Sequence, residues 1–273
     1  MHKIRLYLAV ATIGCAIPSF AENDNCASLP SYDQLKTQLA AATTTVGVER
    51  GLNLQMWATI VDRDGIVCAI AFTGVNRGAQ WPGSRVISAQ KANTANSFSL
   101  DSSAISGGNG QALALSTANL FAAVQPGGSL FGLQESNPVD TAVAYKGPAS
   151  NYGTANDPMI GEKIGGVNVF GGGLGLYATN DKLIGAVGVS GDTSCADHYV
   201  AWYLRKNLGL DHLGSISGVS GDPNRPDNIV YDLPATGATN AQGVVGVSAG
   251  GFGHPLCLNA KTTDAAGLPA VQP

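Results

Sequence analysis

The chain has 273 residues, of which 44% are hydrophobic and only 12% charged, about half the usual ~25%. That much apolar content excludes a disordered chain. A net charge of −4 with no basic patch excludes a surface that wraps a phosphate backbone, so nucleic acid is not expected as a partner. Residues 1–21 read as a secretory signal: Lys3 and Arg5 give a basic start, an apolar run spans Leu6 to Ile17, and Ser19 and Ala21 place small residues before a predicted cleavage. The run is too short to cross ~30 Å of hydrocarbon, and no later segment approaches the required length, so a periplasmic or secreted chain with no membrane span is expected.

Ser31 and Gln34 form a capping box before a helix over about 32–46, with Leu35, Leu39, Ala42 and Val46 at helical spacing. Trp57–Val61 and Ile66–Phe72 flank an Asp64-Gly65 turn and read as a hairpin. Ser84 is positioned to cap a second helix, running from Arg85 to about Phe98 with Ile87, Ala92, Ala95 and Phe98 on its apolar side. Residues 99–164 lose clear period and read as a long ordered insertion with a short helix near Leu113–Val124. Val167–Phe170 reads as a strand entering Gly171-Gly172-Gly173, and Leu174–Thr179 with Lys182–Ser190 as a second hairpin. Ser194 caps a third helix, whose apolar face is Ala196, Val200, Ala201, Leu204 and Leu208. A glycine-rich extension, 214–273, carries two β-like runs at Ile229–Leu233 and Val244–Val247. Hairpins, about five strands and two or three covering helices predict an α+β layered domain over 22–273, with its core in 31–98 and 165–213.

Cys26, Cys68, Cys195 and Cys257 remain after signal removal. An even count in an exported chain favours disulfides. Of three connectivities, Cys26–Cys68 with Cys195–Cys257 is preferred, because each would tie a terminal extension to a central element; four buried thiols are the alternative. No Cys-x-x-Cys pair or His-x₃-His spacing supports a zinc site. Gly246-Val-Ser-Ala-Gly250 has the form of a hydrolase elbow, but Pro255 blocks the helix such an elbow needs, and no Asp lies between Ser248 and His254.

The loop Ser190–Ser194 precedes a helix, so its amides are suited either to a carboxylate-type anion or to plain capping by Ser194 and Asp192. At 100° per residue His198 falls opposite the apolar face, with Trp202 and Arg205. It is expected to face solvent or a partner subunit, where an imidazole beside a ring suits a flat cofactor needing an axial metal ligand; a surface His with a snorkelling Trp is the alternative. His254 reads as a loop histidine with possible binding character, and Tyr177, Tyr199 and Met159 are further ligand candidates without positional support.

Five segments occur in order: Trp57–Gly65, Ser84–Ala95, Gly165–Gly173, Gly185–Asp192 and Asp197–Ala201. In these the chain resembles the GlcG/HbpS haem-binding family, which includes the C-terminal domain of PduO-type proteins. The resemblance covers about 31–213, and its most specific part is Gly-Val-Ser-Gly-Asp192 followed by Asp197-x-x-Val-Ala. It implies a profilin-like three-layer α/β/α fold with a five-stranded antiparallel sheet, assembly into homo-oligomers, and haem or a related small molecule as ligand. It also implies that Lys91, Thr94, Gly171, Gly172, Gly173 and Asp192 are pocket or fold residues rather than catalytic ones. The insertion 99–164 and the extension exceed what the family needs. The leading expectation is an exported haem-binding protein for sequestration, transport or sensing, with haem as cofactor. The alternatives are an enzyme acting on haem or a small acid, with Lys91 and Asp192 holding an anion and moving a proton, and an interaction module that has lost the ligand site.

Overall fold

The computed structural model describes residues 25–47, 50–105, 112–233 and 248–273. The signal segment, and the β-like run at Val244–Val247, lie outside the described residues. The helices are α1 (Tyr32–Val46), α2 (Ser84–Phe98), the four-residue α3 (Leu133–Ser136) and α4 (Thr141–Ala144), α5 (Ser194–Asn207) and α6 (Thr262–Ala266). The strands are β1 (Trp57–Asp62), β2 (Val67–Phe72), β3 (Leu113–Ala114), β4 (Gly173–Ala178), β5 (Lys182–Ser190) and β6 (Ser217–Gly218). The main sheet is antiparallel in the order β2-β1-β5-β4.

Side-chain alternation along the strands divides the interior into two cores. Ala58, Ile60, Ala69, Ala71, Leu174, Leu176, Val187 and Val189 point to one face, where α1 and α5 lie. Trp57, Val61, Val67, Ile70, Phe72 and Ala186 point to the other, under α2. The sheet therefore sits between helices on both sides, which is the layering expected. Both halves of the Ser31–Gln34 capping box are present, and Leu35, Leu39, Ala42 and Val46 are buried. At ~1.5–3 kcal/mol for each large apolar side chain removed from water, that face anchors α1. Trp57 opposes Phe72 in register, their rings stacked 4.2 Å apart. On the other face α2 lies so close to β5 that a Cβ on Gly188 would stand 1.9 Å from the Ser88 carbonyl oxygen. Its buried face is Val86, Ala89, Ala92 and Ala95; small residues at the contact permit the approach, while Ile87 and Phe98 are only half-buried.

Several expectations need correction. The main sheet has four strands among the described residues, not five. Val167–Phe170 is extended but pairs with no strand, because its bonding is taken by α2 and the insertion. Asn168 donates its amide to Thr94 Oγ1 (2.9 Å), Asn93 Nδ2 donates to the Gly166 carbonyl (2.7 Å), and Val169 packs with Leu115, Leu120 and Val124. Leu113–Val124 is no α-helix; it forms β3 and two 3₁₀ turns, Thr117–Leu120 and Ala122–Val124. Gly83, not Ser84, precedes α2, and Thr193, not Ser194, caps α5 by accepting the Ala196 amide. Ile229–Leu233 joins no ladder.

Both preferred disulfides are present. Cys26–Cys68 ties the N-terminal turn to β2, and Cys195–Cys257 ties the first turn of α5 to the extension. The parallel pair β3–β6 joins the insertion to the extension. No helix among the described residues is long and apolar enough to cross a membrane.

Candidate functional site

The residues expected around a ligand recess converge where α2, the glycine loop and the start of α5 meet, but their polar groups are spent on one another. Lys91 is buried; its ammonium donates to Asp197 Oδ2 (2.7 Å) and to the Val189 carbonyl (3.0 Å). Burial pushes the Asp197 carboxyl up to about 6 and the Lys91 ammonium down, each opposed by the attraction of the other. The second oxygen of Asp197 accepts the Asp192 amide (2.9 Å). Asp192 in turn accepts amides from Leu52, Leu54 and Thr193 at 2.6–3.0 Å. Of the two readings of this loop, capping and cross-linking fit; the Asp192 carboxylate pins the loop before β1. Thr94 donates to the Gln90 carbonyl (2.7 Å) and accepts the Asn168 amide.

The glycine loop is packed closely against its neighbours. A Cβ on Gly171 would lie 2.3 Å from the Ser194 carbonyl oxygen and 3.1 Å from His198 Cβ. On Gly172, whose φ is +120°, it would lie 2.3 Å from the Val189 carbonyl oxygen. Thr117, from the insertion, completes the packing: its hydroxyl accepts the Gly173 amide (2.9 Å) and donates to the Phe170 carbonyl.

His198 was expected at the surface and is fully buried, as are Trp202 and Arg205. The reason is the extension, which returns across this face of α5. Asp227 holds Arg205 in a two-pronged pair (2.6 and 2.9 Å), the Ile229 amide donates to His198 Nε2 (3.1 Å), and Trp202 Nε1 donates to the Pro269 carbonyl (3.0 Å). The Asn228 side-chain oxygen also lies 3.2 Å from Nε2. Desolvation lowers the His198 pKa to about 3, so the ring is neutral. The expected neighbours are correct, with the His198 and Trp202 rings 5.9 Å apart; Nδ1 has no hydrogen-bond partner among the described residues, but the ring is fully buried and neither nitrogen reaches the surface. This arrangement does not fit an axial haem ligand. Met159, Tyr177 and Tyr199 are likewise fully buried.

His254 lies near the start of α5. Its Nδ1 donates to the Pro255 carbonyl (2.7 Å), its Nε2 is 3.1 Å from Ser194 Oγ, and burial lowers its pKa to about 4. The sequence places His254 beside Cys257 and favours its bridge to Cys195 but shows no zinc-type spacing, yet the three donor atoms lie within 4.8 Å of one another. Ser248, of the elbow-like motif, donates to Asp232 (2.6 Å) and accepts the Gly253 amide (2.9 Å), a loop tie with no imidazole.

A surface cleft of about 310 Å³ that the sequence did not announce opens beside α1 and β2, lined by Tyr32, Lys36, Phe72, Arg77, Tyr152 and Gly153. The Phe72 ring is backed by its stack on Trp57, and the Tyr152 ring by the Arg85 guanidinium 3.7 Å from its centre. Arg85 is itself held by Asp157. Lys36 donates to the Tyr32 hydroxyl (3.2 Å), and no carboxylate among the described residues pairs with Lys36 or Arg77. Two larger clefts, about 380 and 410 Å³, have no cationic side chain in their lining.

A family model described as haem degrading protein HbpS-like matches residues 33–204. Among solved structures, the Klebsiella pneumoniae protein ORFY is 27% identical, covering 64% of this chain and 88% of that one, with a TM-score of 0.40. The PduOC:haem complex is 21% identical, covering 65% and 94%, with a TM-score of 0.41. No curated protein matches.

Proposed function

The chain belongs to the HbpS-like family, and on that premise we propose that it is an exported haem-binding protein, serving sequestration, transport or sensing, that takes its ligand at the surface cleft and not at His198. The observation that carries this reading is the cleft's cationic rim, Lys36 and Arg77, which meets no carboxylate among the described residues. A tetrapyrrole with carboxylate arms presents a flat apolar body and an anionic edge. Lys36 and Arg77 suit that edge, and the half-buried Tyr152 ring, backed by Arg85, suits the body, with buried Phe72 forming the floor behind it. At about 310 Å³ the cleft is at the low end of the ~300–1,000 Å³ typical of ligand sites, so it holds the edge of such a ring and leaves the rest exposed.

Binding is favoured over degradation because Lys91 and Asp192, the pair considered for proton movement, are committed to Asp197 and to backbone amides. Two disulfides suit an oxidising compartment, periplasmic or extracellular. Self-assembly, implied by the resemblance, is proposed on the same footing, and sedimentation with and without hemin tests it.

The test is a hemin titration followed in the Soret band. The expected result is a shift at micromolar hemin that His198→Ala leaves in place. Lys36→Ala and Arg77→Ala should each weaken it about fivefold, the equivalent of ~1 kcal/mol for a partly exposed charge pair. Loss of the shift in His198→Ala alone would move the site to the covered imidazole. No shift at all would favour a second reading, an interaction module whose ancestral recess is closed; the close packing around Gly171–Gly173 is the observation behind it.

A further inference from the structure

The first turn of α5 carries a grouping that the haem reading does not use. Cys195 is the second residue of the helix, and its amide donates to Cys257 Sγ (3.1 Å). Ser194 Oγ stands 3.5 Å from the same sulfur and 3.1 Å from His254 Nε2. The two sulfurs and the nearby imidazole nitrogen lie within 4.8 Å of one another. Cys195 and His254 are buried, while Cys257 is half-buried. His254 and Cys257 fall outside the stretch matched by the family model and Cys195 inside it, so the grouping is completed only by this chain's extension.

We propose that Cys195, Cys257 and His254 form a redox-gated site for a thiophilic divalent cation such as zinc, closed while the disulfide stands and opened by its reduction. Two thiolates and one imidazole are the donors zinc prefers. At ~2.3 Å for sulfur and ~2.0–2.1 Å for nitrogen, a tetrahedral ion spaces its donors roughly 3.4–3.8 Å apart. Donors already within 4.8 Å need only small side-chain rotations to reach that spacing. The Cys195 amide and the positive end of α5 favour a thiolate at Cys257. Ser194 borders a fourth position, which its hydroxyl or a water fills.

The chemistry balances with a dithiol reductant. The Cys195–Cys257 bond accepts two electrons and two protons, and the dithiol leaves as its own disulfide. The divalent ion then displaces the two thiol protons to solvent. One cross-link between α5 and the extension is thereby exchanged for another, S–S for S–metal–S, so the extension stays fastened in both redox states.

Cobalt(II) is the probe, added to the full chain with and without prior reduction by a dithiol, alongside Cys26→Ser/Cys68→Ser to remove the other bridge. The reduced protein is expected to bind one cobalt with a thiolate-to-metal charge-transfer band and tetrahedral visible bands, and the oxidised protein to show neither. Cys195→Ser/Cys257→Ser should abolish the bands, Cys26→Ser/Cys68→Ser should retain them, and His254→Ala should weaken binding by at least about tenfold. Near-ultraviolet circular dichroism follows the fold throughout. Absent bands in a reduced chain that keeps its dichroism, bands that persist without Cys195 and Cys257, or a chain that loses its fold on reduction despite added cobalt would each overturn the proposal.

Discussion

Replacing Asp227 by Asn tests how the extension is fastened over α5. Arg205 and Asp227 are both essentially inaccessible, and their side chains meet through two bonds of 2.6 and 2.9 Å. Arg205 also donates to the Gly175 carbonyl (3.2 Å), and its guanidinium stacks 4.7 Å from the Trp202 ring. Asn keeps the shape but turns one acceptor into a donor facing a donor, and it leaves a buried guanidinium without a counter-charge. Breaking a buried pair in this way costs about 3–5 kcal/mol. Equilibrium urea unfolding followed by tryptophan fluorescence reads the loss directly. Arg205→Met combined with Asp227→Leu removes both charges, and should recover at least half of the single-variant loss, because no uncompensated ion then remains. The half-exposed Lys146–Glu162 pair is the control, and Glu162→Gln should cost less than ~1 kcal/mol. A loss below ~1 kcal/mol for Asp227→Asn, or a double variant no better than the single one, would refute the claim that this pair is buried and coupled.

Acid should weaken the fold early. Burial lowers the His198 pKa to about 3, so the unfolded chain, with an ordinary value near 6.5, binds the extra proton first. Stability is complete well above pH 6.5 and falls as pH drops, by about 2 kcal/mol between pH 8 and 5 from this group alone, and His198→Gln should flatten the slope in urea titrations. Removing the Cys195–Cys257 bridge, which closes a 62-residue separation, should cost about 4 kcal/mol on the chain-entropy account, read as a lower urea midpoint under oxidising conditions. Gly188→Ala should cost about 3 kcal/mol or more, because the methyl meets backbone atoms of α2 and not a side chain able to move; thermal unfolding measures it.

The elements that a single local pattern specifies were legible in the sequence. The Ser31 capping box fixes the start of α1, the Asp64-Gly65 turn fixes the first hairpin, and apolar spacing fixes the face of α5 that meets the sheet. The sheet's fifth strand was misread because β-like composition at Val167–Phe170 does not reveal whether a neighbouring edge is open to it. Here Thr94 and the insertion occupy its bonding groups and side chains. The burial of His198, Trp202 and Arg205 was missed for a related reason. Amphipathicity locates the face toward the sheet and treats the opposite face as solvent, although a distant segment can return to cover it. Two signals pointed to that return. The preferred Cys195–Cys257 bridge already brought residue 257 to the start of α5, so the extension had to cross the helix nearby. A face made of His, Trp and Arg, opposite an Asp227-Asn228 pair in the extension, also had the complementary chemistry of an internal contact. The cleft at Tyr32, Lys36 and Arg77 gathers residues from separate segments, and no sequence spacing joins them.

The covering of α5 by the extension decides between a ligand recess at His198 and one elsewhere, and the nitrogen-15 spectrum of the histidine side chains measures it most directly. A sealed imidazole keeps the shifts of a single neutral tautomer as pH is lowered from 8 to 5, with Nε2 accepting the Ile229 amide. A His198 ring that instead takes up a proton near its ordinary value, or exchanges between tautomers as a solvated ring does, would contradict the account.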